Sequence, residues 1–195
     1  MRQFTNWHWI SAALSLLGLA GFAVTGVTLN HAGDIVAHPV VREHTAILPA
    51  PLRAELVATS PQRRRALPPQ VAAWLDREFK VDTAQREAEW SSEEIYLTLT
   101  RPGIDASIRI DRSSGVATHE NSWRGWIALG NDLHKGRNGG PYWSWFIDIF
   151  AAACIVFCLT GFALLWLKAP GRRVTWPLIG AGIMIPVLLA VFYIH

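Results

Sequence analysis

The segment FAVTGVTLNH, residues 22–31, closes a long apolar run and returns in altered form as FCLTGFALLW, residues 157–166. Both copies place Phe-x-x-Thr-Gly in sequence apolar enough for a membrane helix. A threonine there can bond back to a carbonyl one turn earlier, and the glycine removes bulk beside it. The repeat therefore predicts two helix faces that a flat ring or a neighbouring helix can approach closely.

Hydropathy predicts a membrane protein. The chain has 195 residues, of which 51% are hydrophobic and 17% charged. Trp7 to Leu29 and Val174 to Ile194 are uncharged and longer than the ~20 residues that cross a bilayer core, and Tyr142 to Leu167 is interrupted only by Asp148. The predicted membrane helices are 1–30, 141–168 and 174–195.

Basic residues predict the orientation of these helices. Arg2 precedes the first helix, and Lys168, Arg172 and Arg173 lie in the short loop LKAPGRRVTW. The positive-inside rule places both in the cytoplasm, so the C-terminus and the region between the first two helices face outward, which for a bacterial inner membrane is the periplasm. Elsewhere, apart from Asp148, basic and acidic residues are equal in number, so the lipid bilayer is an implied partner and nucleic acid is not.

Residues 31–121 are expected to form a small α+β periplasmic domain preceded by a linker. The proline-rich start of this region predicts a linker with at most one short helix, near Leu52 to Val57. In PPQVAAWLDREF, apolar residues at helical spacing predict a helix that Pro69 opens.

Alternation of apolar and polar residues predicts the strands of this domain. Two strands, about Ile95 to Thr100 and Ala106 to Ile110, are separated by Pro102-Gly103, which indicates an antiparallel hairpin. DRSSG is a second turn, leading to a short strand near Val116 to His119. Residues 122–140, rich in Trp and Gly, predict an interfacial helix followed by a break.

Several motifs together resemble the PepSY-associated transmembrane family. They are His8-Trp9 near the start, TGVTLNH at the outer end of the first helix, a helix with strands closing in IRIDRSSGVAT, then DLHKGR, then DIFAAACIVFCLTGFALLW. The resemblance implies a mainly α membrane protein with a PepSY-like domain inserted between helices 1 and 2. Larger members include ferrisiderophore reductases that hold b-type haem between histidines of their membrane helices.

This resemblance implies haem b as cofactor and electron transfer toward periplasmic ferric complexes. In the predicted topology His31, His134 and His195 all lie at the outer interface, and a bis-histidine haem needs two imidazoles from separate elements. His31 and His134 are therefore the expected iron ligands, with His195, the last residue, as a third candidate. The alternative for each is a histidine that caps a helix or lies in the headgroup region.

His8 lies at the other end of the first helix, about 35 Å from His31 at ~1.5 Å per residue. No second histidine is expected on that side of the chain. His8 begins a stripe of mostly small residues that includes Ser11, Ser15 and Gly18, and such stripes allow close helix packing. A homodimer packed through first helices would bring two His8 side chains together for a second haem; otherwise His8 is structural.

Two charged residues complete the candidate site. Asp148 lies within the second membrane helix, where a carboxylate is costly. It either accepts a hydrogen bond from a ligand histidine, or it reaches interfacial water or accepts a bond from a Trp or Tyr side chain. Arg137 either pairs with Asp148 or holds a haem propionate.

The alternative hypothesis is that the chain is a membrane-anchored PepSY binding or regulatory module, which binds a periplasmic partner and has no redox activity. The sequence has no Ser-His-Asp order, phosphate-binding glycine loop, dinucleotide fingerprint or HExxH motif, so hydrolase and nicotinamide chemistry lack a motif. Both readings share the same membrane topology.

Overall fold

A computed structural model describes residues 2–59, 63–84, 86–168, 171 and 173–193. These residues form two compact units, one from residues up to Gly21 and from Trp145 onward, the other from Phe22 to Ser144. The described helices are α1 (Arg2–Asn30), α2 (Ala50–Ala58), α3 (Pro69–Phe79), α4 (Trp126–His134), α5 (Gly140–Lys168) and α6 (Thr175–Tyr193).

Three helices, α1, α5 and α6, are long and apolar enough to cross a membrane. This confirms the three predicted membrane helices. Their large apolar side chains are mostly exposed, as expected for helices whose solvent is lipid.

In the first unit, α5 packs on the small-residue stripe of α1. Ser11 and Ser15 are buried, and each Oγ donates to the backbone one turn earlier, Ser11 to Trp7 at 2.7 Å and Ser15 to Ser11 at 2.7 Å. A Cβ at Gly18 would lie 2.3 Å from Cε2 of Phe150 on α5. The part of the stripe expected to contact a second subunit is thus occupied within the chain, so replacing Gly18 by leucine would disturb this packing directly.

The second unit is built on a six-stranded antiparallel sheet with the order β1-β6-β5-β4-β3-β2. Its strands are β1 (Val40–Ile47), β2 (Arg64–Ala66), β3 (Glu87–Trp90), β4 (Glu94–Thr98), β5 (Ile104–Asp111) and β6 (Val116–Trp123). Side chains alternate along β5, where Ala106, Ile108 and Ile110 are buried. They share a core with Val71 and Leu75 of α3, which confirms the predicted helix and its apolar face.

The predicted linker is wrong over residues 40–47. That segment is β1, which pairs with β6 along its whole length, from Val40 opposite Trp123 to Ile47 opposite Val116. Strand β1 is an edge strand whose side chains are nearly all exposed, so it lacks the apolar alternation of a half-buried strand. The short helix predicted near Leu52 is confirmed as α2.

Arg112 joins α2 to the sheet. Its guanidinium is buried and donates to the carbonyls of Leu56 at 2.8 Å and Thr59 at 2.6 Å, at the end of α2, and to the carbonyl of Ser91 at 2.7 Å. In the neighbouring turn the Asp111 carboxylate accepts from backbone and hydroxyl groups of Ser113 and Ser114, which lowers the pKa of Asp111 to about 2. The Asp-x-x-x-Gly turn predicted between two strands is therefore present.

A buried carboxylate anchors α4 to the sheet. Asp132 is 4% exposed and accepts a hydrogen bond from the backbone N–H of Gly103 at 2.9 Å and a second from Arg124. Gly103 has φ of +71°, and a Cβ there would lie 2.9 Å from Cβ of Leu129, so the turn admits α4 only with glycine. This contact fixes the helix that ends at His134.

Candidate functional site: two threonine–histidine pairs

His134 lies against the first Phe-x-x-Thr-Gly motif. It is the last residue of α4, and its Nδ1 is 2.6 Å from the hydroxyl of Thr25. A Cβ at Gly26 would lie 3.8 Å from its Cε1, and the ring of Phe22 lies at 4.8 Å between centroids, tilted by 48°. All three motif residues therefore surround one half-buried imidazole.

His8 lies against the second copy of the motif in the same way. Its Nδ1 is 3.2 Å from the hydroxyl of Thr160 on α5. A Cβ at Gly161 would lie 3.2 Å from its Cε1, and Phe157 stacks on the ring at 4.7 Å with 15° between planes. Both copies of the Phe-x-x-Thr-Gly repeat therefore contact a histidine ring.

Each threonine hydroxyl lies between a backbone carbonyl and an imidazole. The hydroxyl of Thr25 donates to the carbonyl of Phe22 at 3.1 Å, and that of Thr160 to the carbonyl of Val156 at 2.7 Å. A hydroxyl has one hydrogen, so while it donates to the carbonyl its oxygen can only accept from Nδ1–H. This arrangement favours a proton on Nδ1 and a lone pair on Nε2, to which none of the described residues hydrogen-bonds.

The other expected ligands are placed differently. His31 is exposed, and its Nδ1–H donates to the carbonyl of Val27 at 3.0 Å. It lies six residues beyond Thr25, about 120° around a helix of 3.6 residues per turn. No hydrogen bond or ring contact between described residues joins it to His134, and His195 lies outside the described residues.

Neither charged candidate contacts an imidazole in the described chain. Asp148 is exposed on α5 and makes no hydrogen bond with the described residues, while the threonine hydroxyls occupy the acceptor positions beside His8 and His134. Arg137 is exposed, and its guanidinium has no acidic partner among the described residues. Within the same residues, no group of three or more His, Cys, Asp or Glu side chains is placed to hold a metal ion.

The sheet brings together two further histidines that no sequence pattern connects. His44 and His119 are directly opposite each other on β1 and β6, and both rings contact Phe79 of α3, at 5.2 and 5.5 Å between centroids. Burial, followed by the proximity of His44, lowers the pKa of His119. Their juxtaposition depends on β1, a strand that hydropathy did not predict.

Fold and site together define a three-helix membrane protein with an inserted antiparallel sheet domain, in which repeated helix motifs hold histidines. The chain matches the family model described as PepSY_TM-like over residues 1–195, and it belongs to that family. The family predicted from the motifs is thereby confirmed. Comparison with curated proteins and with solved structures gives no match.

Proposed function

We propose that this protein is an inner-membrane b-type haem protein that passes electrons toward ferric complexes in the periplasm. The observation that carries the proposal is that the Thr25 and Thr160 hydroxyls contact Nδ1 of His134 and His8, while Nε2 of each ring has no hydrogen-bond partner among the described residues. Metal-ligating histidines commonly donate one ring N–H to an oxygen acceptor and bind the metal with the other nitrogen. Two histidines of this chain have that arrangement.

The residues present fit such a group. The Nε2 atoms of His134 and His8 would serve as iron ligands, and Phe22 and Phe157 restrict rotation of the rings that carry them. When bound, haem supplies a one-electron redox centre. The guanidinium of Arg137, which is exposed and has no acidic partner among the described residues, carries the charge needed to hold a propionate.

A second axial ligand completes each site in this proposal. For His134 the candidates are His31, whose Nδ1–H is also committed to a carbonyl, and His195. For His8 the candidate is a second copy of the chain, because no other histidine is near that end of α1 in sequence. The proposal therefore includes a homodimer, and a mass measurement that finds only monomer with haem fully bound would exclude the dimer.

Orientation follows from the positive-inside rule, with Arg2, Lys168 and Arg173 in the cytoplasm. The sheet domain and the C-terminus then face the periplasm, where a ferric complex or redox partner would be met. Reporter fusions after Thr59 and after the last residue test this arrangement. Both fusions should be active only with a reporter that requires the periplasm. Activity of a cytoplasmic reporter at either point would contradict the proposed topology.

A visible spectrum of the detergent-purified full chain, expressed with ample haem, tests the cofactor. We expect a Soret band that is strongly reduced in His134→Ala and unchanged in the control His38→Ala, since His38 is exposed and makes no hydrogen bond with the described residues. Absence of a Soret band in the wild-type protein would reject the proposal.

The alternative, a membrane-anchored PepSY module that binds a partner without redox activity, makes the opposite prediction for function. A His31→Ala, His134→Ala double variant would then fold and act normally. Measuring ferric-complex reduction and cellular phenotype in that variant separates the two readings.

A further inference from the structure

A cavity of about 150 Å³ lies in the sheet domain between the end of α3 and the strands. Its floor includes Leu99, Ile104 and Ala106, and Asn121 and His119 of β6 line one side. Since one water needs ≳ 10–15 Å³ of such volume, the cavity accommodates a small molecule rather than a single water.

Three cations surround this cavity: Lys80, Arg86 and Arg101. Among the described residues, the acidic side chain that lines it is that of Asp82, whose Oδ1 accepts from the backbone N–H of Ala84 at 3.1 Å. None of the three cations makes an ion pair with a described acidic residue, although other arginines of the domain do. The cavity therefore carries unbalanced positive charge.

The end of α3 offsets only part of this charge. A helix C-terminus is equivalent to roughly −0.5 of an elementary charge, which together with Asp82 leaves a net charge between one and two positive units. Lys80 itself has φ of +55°, in the left-handed region where glycine usually ends a helix. A lysine there costs roughly 1 kcal/mol of backbone strain but places an ammonium group at the rim.

The polar groups inside the cavity are suited to oxygen acceptors. Arg86 is half-buried, and of its guanidinium nitrogens only Nη1 hydrogen-bonds to a described residue, at 3.4 Å to the carbonyl of Thr98. The side chain of Asn121 is half-buried and makes no hydrogen bond with the described residues. Both side chains line the cavity and carry N–H donors that suit an oxygen acceptor.

We infer that this cavity is a binding site for a small, multiply charged oxyanion, of the polycarboxylate or phosphate type. The guanidinium groups of Arg86 and Arg101 would bind oxygen atoms, with Lys80 as a point charge and Asn121 as a neutral donor. The site is independent of the haem proposal, because all its residues belong to the sheet domain and none contacts His8 or His134.

Isothermal titration of the full chain in a neutral detergent, with citrate in one arm and inorganic phosphate in the other, tests the inference. We expect saturable binding of one anion per chain, weakened by salt because the cations at the rim are exposed. A Lys80→Gln, Arg101→Gln double variant should lose about tenfold or more in affinity, since each removed charge contributes on the order of a few-fold.

The matched control is Arg42→Gln with Arg77→Gln, which removes the same charge from exposed positions of the domain outside the cavity. Wild-type affinity in this control, with loss in the cavity variant, supports the site, and the arm that binds more tightly identifies the type of oxyanion. Equal loss in both double variants, or no saturable binding of either probe to the wild-type chain, would overturn the inference. Both variants replace exposed side chains, and an unchanged melting temperature verifies their folding.

Discussion

The two threonine–histidine pairs use one motif but hold their rings with different tightness. Thr25 is 2.6 Å from Nδ1 of His134, which ends a nine-residue helix anchored to the sheet by Asp132. Thr160 is 3.2 Å from Nδ1 of His8. The His8 ring lies on α1 and packs against Phe157 and Gly161 of α5. In both pairs the threonine hydroxyl contacts Nδ1, while the elements that position the histidine differ.

The two pairs should respond differently to mutations outside the motif. His134 depends on the contact that positions α4, whereas His8 depends on the packing of α1 against α5. Changes in the sheet should therefore affect one pair and spare the other.

The largest expected effect is that of Asp132→Ala. Removing one partner of a buried ion pair commonly costs about 3–5 kcal/mol, and we expect the lower end because Arg124 is 26% exposed. The melting temperature of the full chain in detergent should fall. The NMR signals of the His134 ring should change, while those of the His8 ring should not. The control is Asp105→Ala, which removes the exposed partner of the same arginine and should cost about 1 kcal/mol or less. Similar losses in the two variants would contradict the anchoring role of Asp132.

Alanine at the two motif glycines should distinguish the pairs. A Cβ at Gly161 lies 3.2 Å from the His8 ring, a tight approach that overpacks the site by roughly 1–2 kcal/mol. At Gly26 the distance of 3.8 Å is ordinary contact, and Gly→Ala gains up to about 1 kcal/mol of helix propensity. Thermal unfolding should show Gly161→Ala less stable than Gly26→Ala. The reverse order would show that the His8 ring is not held as described.

Replacing the threonines by valine keeps their shape and removes the acceptor. Each variant should lose about 1 kcal/mol of stability, more at Thr25 because its bond is shorter. Serine at the same positions retains the hydroxyl and should restore the histidine signals. If Thr25→Val leaves the protonation pattern of His134 unchanged, the hydroxyl does not set the tautomer.

The smallest expected effect is on the pH dependence of stability, through His119 in the sheet. The pKa of His119 is lowered from 6.5, so the unfolded chain binds a proton there before the folded chain does. The sheet domain should therefore lose stability as the pH falls below about 6.5, and His119→Gln should reduce that loss. Urea unfolding at pH 7 and pH 5 measures it; an identical pH dependence in the variant would contradict the assignment.

The sequence predicted the elements whose apolar residues form a long run or recur with a regular spacing. The long apolar runs predicted the three membrane helices. Apolar residues at helical spacing predicted α3, and alternating apolar residues predicted the hairpin of β4 and β5. The edge strand β1 buries almost nothing, and β2 has three residues, so neither leaves an apolar pattern and both were missed.

The candidate site was predictable in part for the same reason. Thr25-Gly26 and Thr160-Gly161 predicted a close approach by a flat ring or a neighbouring helix, and His8 and His134 were both identified as candidates. Which histidine meets which motif depends on contacts between residues more than 100 positions apart, and spacing along the chain contains no information about them. The role of Asp148 stays a prediction.

The most direct test is the protonation state of His8 and His134 in protein purified without added haem. Solid-state nitrogen NMR of the full chain in bilayers, with ¹⁵N-labelled histidine and assignment through His8→Gln and His134→Gln, distinguishes the two neutral tautomers. We predict a protonated Nδ1 and an unprotonated Nε2 at both residues, with the pattern lost at His134 in Thr25→Val and at His8 in Thr160→Val. A proton on Nε2 in the wild-type protein at either residue would contradict this prediction.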